Sequence, residues 1–261
     1  MDDLIYVYCL SKSPPGMDHS LQSKGLKTLL FDNFYAIVKV VSETEFSEEN
    51  FKKNLSNLEW LDSNAREHIR VICQIMEQCT IIPFKFGTIY HSEDGLKKFI
   101  EGYSGSLSEN FQNIEWKEEW SAKIYYNRKV LSEQIDELSQ EAASLEKQIM
   151  ASSPGKAFLL KRKKNDLVEN EMDRLCKKYG QEYYDEFKRL SEESRIENLI
   201  PKEFTGREDT MILNANFLVC KNKVSDFTET VSKLRKRDGN TGFIIEATGP
   251  WPPFSFVSIK E

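Results

Sequence analysis

Two periods of apolar residues alternate along this chain, and the change of period near residue 127 constrains its fold most. Leu131, Ile135, Leu138, Ala142, Leu145 and Ile149 follow one another at spacings of four, three, four, three and four. On an otherwise charged stretch this is a heptad seam of the coiled-coil kind. Ser152-Ser-Pro-Gly155 stops it, and Pro154 suits the first turn of a following helix. Helical spacing returns through Leu160, Leu167, Val168, Met172, Leu175, Tyr179, Tyr183, Phe187 and Leu190. Two helices joined by a tight turn pack antiparallel, so residues 127–190 read as a helical hairpin. A helix from Asn127 to Ala151 would reach about 37 Å. That exceeds what a compact domain needs, so its outer part is expected to project.

Strand patterns flank the hairpin. Leu4-Ile-Tyr-Val-Tyr-Cys-Leu10 is a near-continuous apolar run that suits a central strand. Residues 11–25 hold Pro14, Pro15, Gly16 and Gly25 and read as a loop. Asp32-Asn33 between Leu29–Phe31 and Phe34–Val41 is a two-residue hairpin turn, because both residues tolerate positive φ. Ser47 before Glu48 and Glu49 starts a helical stripe that runs to Met76, with a break near Asn57–Trp60. Thr80-Ile-Ile-Pro-Phe-Lys-Phe-Gly-Thr-Ile-Tyr90 reads as one strand kinked at Pro83 and Gly87. Ser92 caps a helix to about Asn113, weakened by Gly102 and Gly105. Residues 120–126, 196–200, 211–220 and 242–248 read as strands, and Val224, Phe227, Val231 and Leu234 as one face of a helix. The expected fold is α+β in two domains, residues 1–117 and 118–261. The second, β–(helical hairpin)–β–β–α–β, resembles a ferredoxin-like fold with an oversized first helical segment.

Charge and cysteine usage narrow the function. A net charge of −6 argues against a dedicated nucleic-acid binder, which needs a basic surface. No apolar run approaches the roughly 20 residues of a membrane span. The start Met1-Asp-Asp lacks a signal-peptide pattern. Five scattered cysteines with no CxxC read as buried thiols in a reducing cytoplasm.

Few residues propose chemistry. Lys85 between Phe84 and Phe86 is either the snorkelling charge of a core strand or a catalytic or ligand-binding lysine. His68, Cys73, Cys79 and His91 lack metal-ligand spacing, so no metal or cofactor is expected. Nothing matches a dinucleotide, phosphate-loop or hydrolase motif. Lys156, Lys161, Arg162, Lys163 and Lys164 cluster past the hairpin turn, with Asp166, Glu169 and Glu171 following. They read as a solvated helix face or as a docking patch for an acidic protein. Thr248-Gly-Pro-Trp-Pro-Pro-Phe-Ser-Phe-Val257 is the most distinctive string. Its prolines force an extended path, so Trp251, Phe254 and Phe256 either strap onto their own sheet or face a partner.

Four strings carry a resemblance that spans the chain in order: Leu4-Ile-Tyr-Val-Tyr8; Trp60-Leu61 with Ala65 and His68; Ile82-Pro-Phe-Lys-Phe-Gly-Thr88; and Gly249-Pro-Trp-Pro-Pro-Phe-Ser-Phe-Val257. Glu119-Trp120 with Lys123 adds to them. The chain resembles the gas vesicle accessory proteins of the GvpF/GvpL family. Position 85 is often arginine in such sequences, and Lys85 departs from that. The resemblance implies two α+β domains, the second a modified ferredoxin fold with a helical extension. It also implies a minor structural or assembly protein of the gas vesicle, in the cytoplasm. Such a protein binds the hydrophobic shell protein and other accessory proteins, and has no enzymatic activity, cofactor, nucleic-acid partner or lipid membrane. The partner contacts expected on this reading are Lys85, Phe86, Trp251, Phe254 and Phe256. The competing expectation is a small-molecule-binding or enzymatic ferredoxin-like protein.

Overall fold

The structure, a computed structural model, describes residues 3–16, 21 and 23–259. Met1 and Asp2 of the acidic start, and residues 17–20 and 22 of the expected loop, lie outside these. Internal contacts divide the chain into one unit made of Met1–Glu119 with Pro250–Glu261 and another made of Trp120–Gly249. The sequence pattern puts the boundary after residue 117 and the tail with the second domain. The tail instead packs with the first unit.

In the first unit, β1 (Asp3–Ser11) lies inside a sheet ordered β2-β3-β1-β4, with β5 also on β1. Its partners β3 (Phe34–Ser42), β4 (Ile81–Pro83) and β5 (Ile89–Tyr90) all run antiparallel to it. The apolar run of β1 is explained by cover on both faces. Leu4, Tyr6 and Tyr8 join one core cluster with Val71, Ile72 and Ile75. Leu107, Phe111 and Ile114 are also buried, and Phe111 stacks on Phe34 at 5.7 Å. β2 (Leu26–Phe31) meets β3 through the expected turn, where Asp32 sits at φ 51.

The stripe from Ser47 breaks as its polar residues direct. α1 (Glu43–Phe46) and α2 (Glu48–Asn54) precede α3 (Leu58–Met76), whose N-cap Asn57 accepts from the amides of Glu59 and Trp60. α4 (Glu93–Gly102) and α5 (Ser104–Ile114) replace the single helix expected to about Asn113, with the break at Tyr103 between the two glycines.

The second unit has a sheet ordered β7-β8-β6-β9: β6 (Lys117–Tyr126), β7 (Glu193–Ile196), β8 (Thr210–Cys220) and β9 (Phe243–Trp251). The first arm of the hairpin is not one helix. It is α6 (Arg128–Glu133), α7 (Ile135–Leu138) and α8 (Gln140–Met150), and only the return arm α9 (Pro154–Lys188) is continuous. Ser139 causes one break: its backbone is extended and its side chain accepts from the Ala142 amide. Glu171 of α9 hydrogen-bonds the same serine. Lys164 ties the pieces together, reaching Asp136 at 2.6 Å and Glu146 at 2.8 Å. After β7 come a short α10 (Lys202–Thr205), β8 and α11 (Val224–Asp238). Of the five cysteines, all free, Cys9 and Cys176 are buried and the other three half-buried.

Candidate functional site

The string Pro83–Thr88 folds as a rigid turn, not as one kinked strand. β4 ends at Pro83, opposite Cys9, and the chain returns as β5 opposite Ile5 and Tyr6. Thr88 closes the turn, its amide and hydroxyl both donating to the Lys85 carbonyl at 3.1 and 2.7 Å. The Phe84 amide donates to Tyr8 and the Val7 amide to Thr88, each at 2.9 Å, stitching the turn to β1. Gly87 adopts φ +80, and a Cβ there would lie 2.4 Å from Cζ of Phe51. Positive φ and close approach both demand glycine.

A buried relay holds the turn from below. The Phe84 carbonyl can only accept, so His68 carries its proton on Nε2, 3.0 Å away. Nδ1 then accepts from the Tyr6 hydroxyl at 2.9 Å, and the Tyr6 oxygen accepts from the Gly87 amide at 3.2 Å. Every polar atom of the imidazole is used, which makes burial tolerable. His68 is 1% exposed. Burial lowers its pKa from 6.5 to about 4, against the opposing pull of the Phe84 carbonyl. The imidazole is therefore neutral near pH 7 and works as a brace.

Phe86 packs beside Phe51, His68, Tyr6 and Trp60, with ring centres 5.7 to 6.4 Å away. It is half-buried, while Lys85 is exposed on the turn. A cavity of about 20 Å³ beside Phe86 and Tyr8 holds at most a single water, not a substrate. Among the described residues, no group of three or more His, Cys, Asp or Glu could hold a metal ion.

The tail is the second feature. Pro252, Pro253 and Phe256 are buried, the last only 2% exposed. Buried Glu119 grips the tail with both carboxylate oxygens, accepting from the Ser255 amide at 3.0 Å and hydroxyl at 2.6 Å. Asn110 makes a reciprocal pair with Ser258: its Nδ2 donates to the Ser258 carbonyl at 3.0 Å, and its Oδ1 accepts the Ser258 amide at 2.9 Å. One expected contact residue is thereby corrected. Phe256 is enclosed by its own unit and cannot meet a partner while the tail is folded. Phe254 packs against the β1–α3 core and is half-buried, as Phe86 is. Trp251 remains 43% exposed.

One residue escapes sequence reasoning. Trp116, between α5 and β6, is 73% exposed and sits at φ +58. A bulky side chain in left-handed backbone is a steric outlier costing about 1–2 kcal/mol. The one signal for it is a large aromatic flanked by Glu115 and Lys117, where burial pattern predicts none.

Comparisons with known proteins cover the whole chain. The family model described as "Gas vesicle synthesis protein GvpL/GvpF" matches residues 4–258. Gas vesicle protein L of Streptomyces sp. (strain CB03234) is 24% identical over 268 residues, covering 100% of this chain and 95% of that protein. The crystal structure of gas vesicle protein GvpF from Anabaena sp. PCC7120 superposes with a TM-score of 0.69 at 18% identity, covering 99% of this chain and 100% of that one. GvpF from Microcystis aeruginosa gives a TM-score of 0.66 at 17% identity, with the same coverage. At these identities the structural likeness speaks for the fold, while the family match speaks for descent. The chain belongs to the gas vesicle synthesis protein GvpL/GvpF family.

Proposed function

We propose that this protein serves gas vesicle formation in the cytoplasm by binding the hydrophobic shell protein and other accessory proteins. It limits aggregation of shell subunits and helps nucleate or line the vesicle wall, and it does so without catalysis or a cofactor. Large apolar surfaces aggregate unless covered, and a chain with exposed aromatic anchors can cover them. The observation that carries this reading is Trp116, kept in solvent at a strained backbone position. We read strain retained at an exposed aromatic as pointing to a functional contact, and tryptophan is among the commonest binding anchors. Lys85, Trp251 and the exposed edge of Phe86 are the further contact residues. Among the described residues no helix is long and apolar enough to cross a membrane.

We also read the second unit as a modified ferredoxin-like fold with a helical extension. Its strand order β7-β8-β6-β9, with helices between β6 and β7 and between β8 and β9, supports that reading.

The test is co-expression with the shell protein. Trp116→Gly relieves the backbone and removes the anchor. It should raise thermal stability by a few degrees, equivalent to about 1 kcal/mol, while lowering the soluble yield of shell protein. Unchanged shell solubility and vesicle yield in this variant and in Trp251→Ala would refute the contact assignment.

A further inference from the structure

The tip of the helical hairpin is chemically unlike the rest of the chain. Residues 147–165 carry Lys147, Lys156, Lys161, Arg162, Lys163 and Lys164 and no acid, in a chain of net charge −6. Apart from Lys164, these cations are exposed, and among the described residues none of them is in an ion pair. Met150, Phe158 and Leu159 stand in solvent among them, Phe158 at 71% exposure. Apolar side chains ringed by unpaired charge are the composition of a contact surface.

The complement of that surface exists on the same chain. In the first unit, a cleft of about 290 Å³ has Leu4, Phe46, Phe51 and Ile89 in its lining and Glu43 and Glu48 on its rim. Glu45 and Glu49 are the other acids in the first turns of α1 and α2. Lys52 and His91 share the rim, and Lys52 is engaged by Glu48 at 2.6 Å. Among the described residues, Glu43, Glu45 and Glu49 have no cationic partner within ion-pair distance. The volume lies at the lower limit for small-molecule sites. It suits one inserted aromatic side chain better than a cofactor.

We propose that copies of this protein associate head to tail, the hairpin tip of one seating Phe158 in the acid-rimmed cleft of the next. Apolar floor meets apolar tip, and free glutamates meet free lysines and arginine, so both the hydrophobic and the electrostatic terms favour the pair. The contact is heterologous, because tip and cleft are different surfaces. Each added copy leaves one tip and one cleft open, so assembly continues as rings or open chains instead of stopping at a dimer. This association is separate from shell-protein binding and does not depend on it.

Sedimentation velocity of the full chain over a concentration series, at low and at high salt, tests the proposal. The weight-average mass should rise with concentration at low salt and fall toward the monomer at high salt. Phe158→Glu, at an exposed position that leaves the fold intact, should weaken association by about 30-fold or more, as expected for loss of an aromatic anchor. Reversing the tip (Lys161→Glu with Lys163→Glu) or the rim (Glu43→Lys with Glu48→Lys) should each suppress self-association. Mixing the two reversed chains should restore it. A chain that stays monomeric at every concentration overturns the proposal, as does association indifferent to Phe158→Glu. So does a monomer whose tip instead binds phosphatidylserine vesicles or single-stranded RNA.

Discussion

Lowering the pH should loosen the first unit through His68, and the size of the effect follows from the relay geometry. The folded chain holds His68 neutral down to about pH 4, whereas the unfolded chain protonates it near 6.5. Below pH 6.5 the unfolded state therefore binds the extra proton and gains stability relative to the folded state. The contribution is intact above 6.5, is lost progressively as pH falls, and is exhausted once pH passes below about 4. One pKa unit is about 1.4 kcal/mol, so the full loss is about 3 kcal/mol, of which about 2 kcal/mol falls between pH 7 and pH 5. Other groups titrate in this window, so the assay compares variants. Urea unfolding followed by tryptophan fluorescence at both pH values, on the parent and on His68→Gln, isolates the term. Trp60, Trp116 and Trp251 lie in the first unit, so the signal reports mainly on it. The parent should lose about 2 kcal/mol more than the variant. With three histidines in the chain, nitrogen-detected NMR can also follow the His68 ring directly. Equal pH slopes in parent and variant, or a His68 midpoint near 6, would refute the reasoning.

Three further outcomes follow from the same geometry. Gly87→Ala meets both the left-handed backbone and the Phe51 ring, and should cost about 1–2 kcal/mol for the backbone alone, read as a drop in thermal midpoint. Phe256→Ala should cost about 3–5 kcal/mol, seen as early urea unfolding of the first unit. Removing the tail is therefore no clean probe of partner binding. Lys164→Met leaves Asp136 and Glu146 facing each other without their shared cation. It should destabilise the second unit by about 1–3 kcal/mol, with hydrogen exchange accelerating first in α7 and α8.

Local patterns made most elements legible. The β2–β3 turn was readable because Asp32-Asn33 is short, polar and flanked by apolar residues, and Asp32 duly takes positive φ. The hairpin's first arm misleads for a physical reason. Leu131, Ile135, Ala142, Leu145 and Ile149 are all buried at the expected spacing, yet the backbone between them breaks twice. Apolar period reports which side chains face the core. It does not report whether the amide ladder is continuous, and Ser139 offers the ladder a competing acceptor. The 80–90 run misleads in the same way. Phe84 and Phe86 are apolar because they pack among rings, not because they stand in a strand. The relay itself had no local signal, since Tyr6 and His68 are 62 positions apart.

The aromatic residues of the first unit divide into two kinds, and the division bears on how the protein can act. Phe256 is enclosed by its own unit, and Phe51, Trp60, Phe86 and Phe254 are half-buried among neighbours from that unit. Trp116 and Trp251 keep much of their surface in water. Burial alone cannot separate a contact residue from an idle one, because single exposed apolar side chains are common on any surface. Backbone strain adds a second observation at Trp116. Glycine or asparagine would hold the turn at residue 116 with less cost, so the tryptophan there is not explained by folding. On the proposed contact role, its replacement should move stability and partner binding in opposite directions.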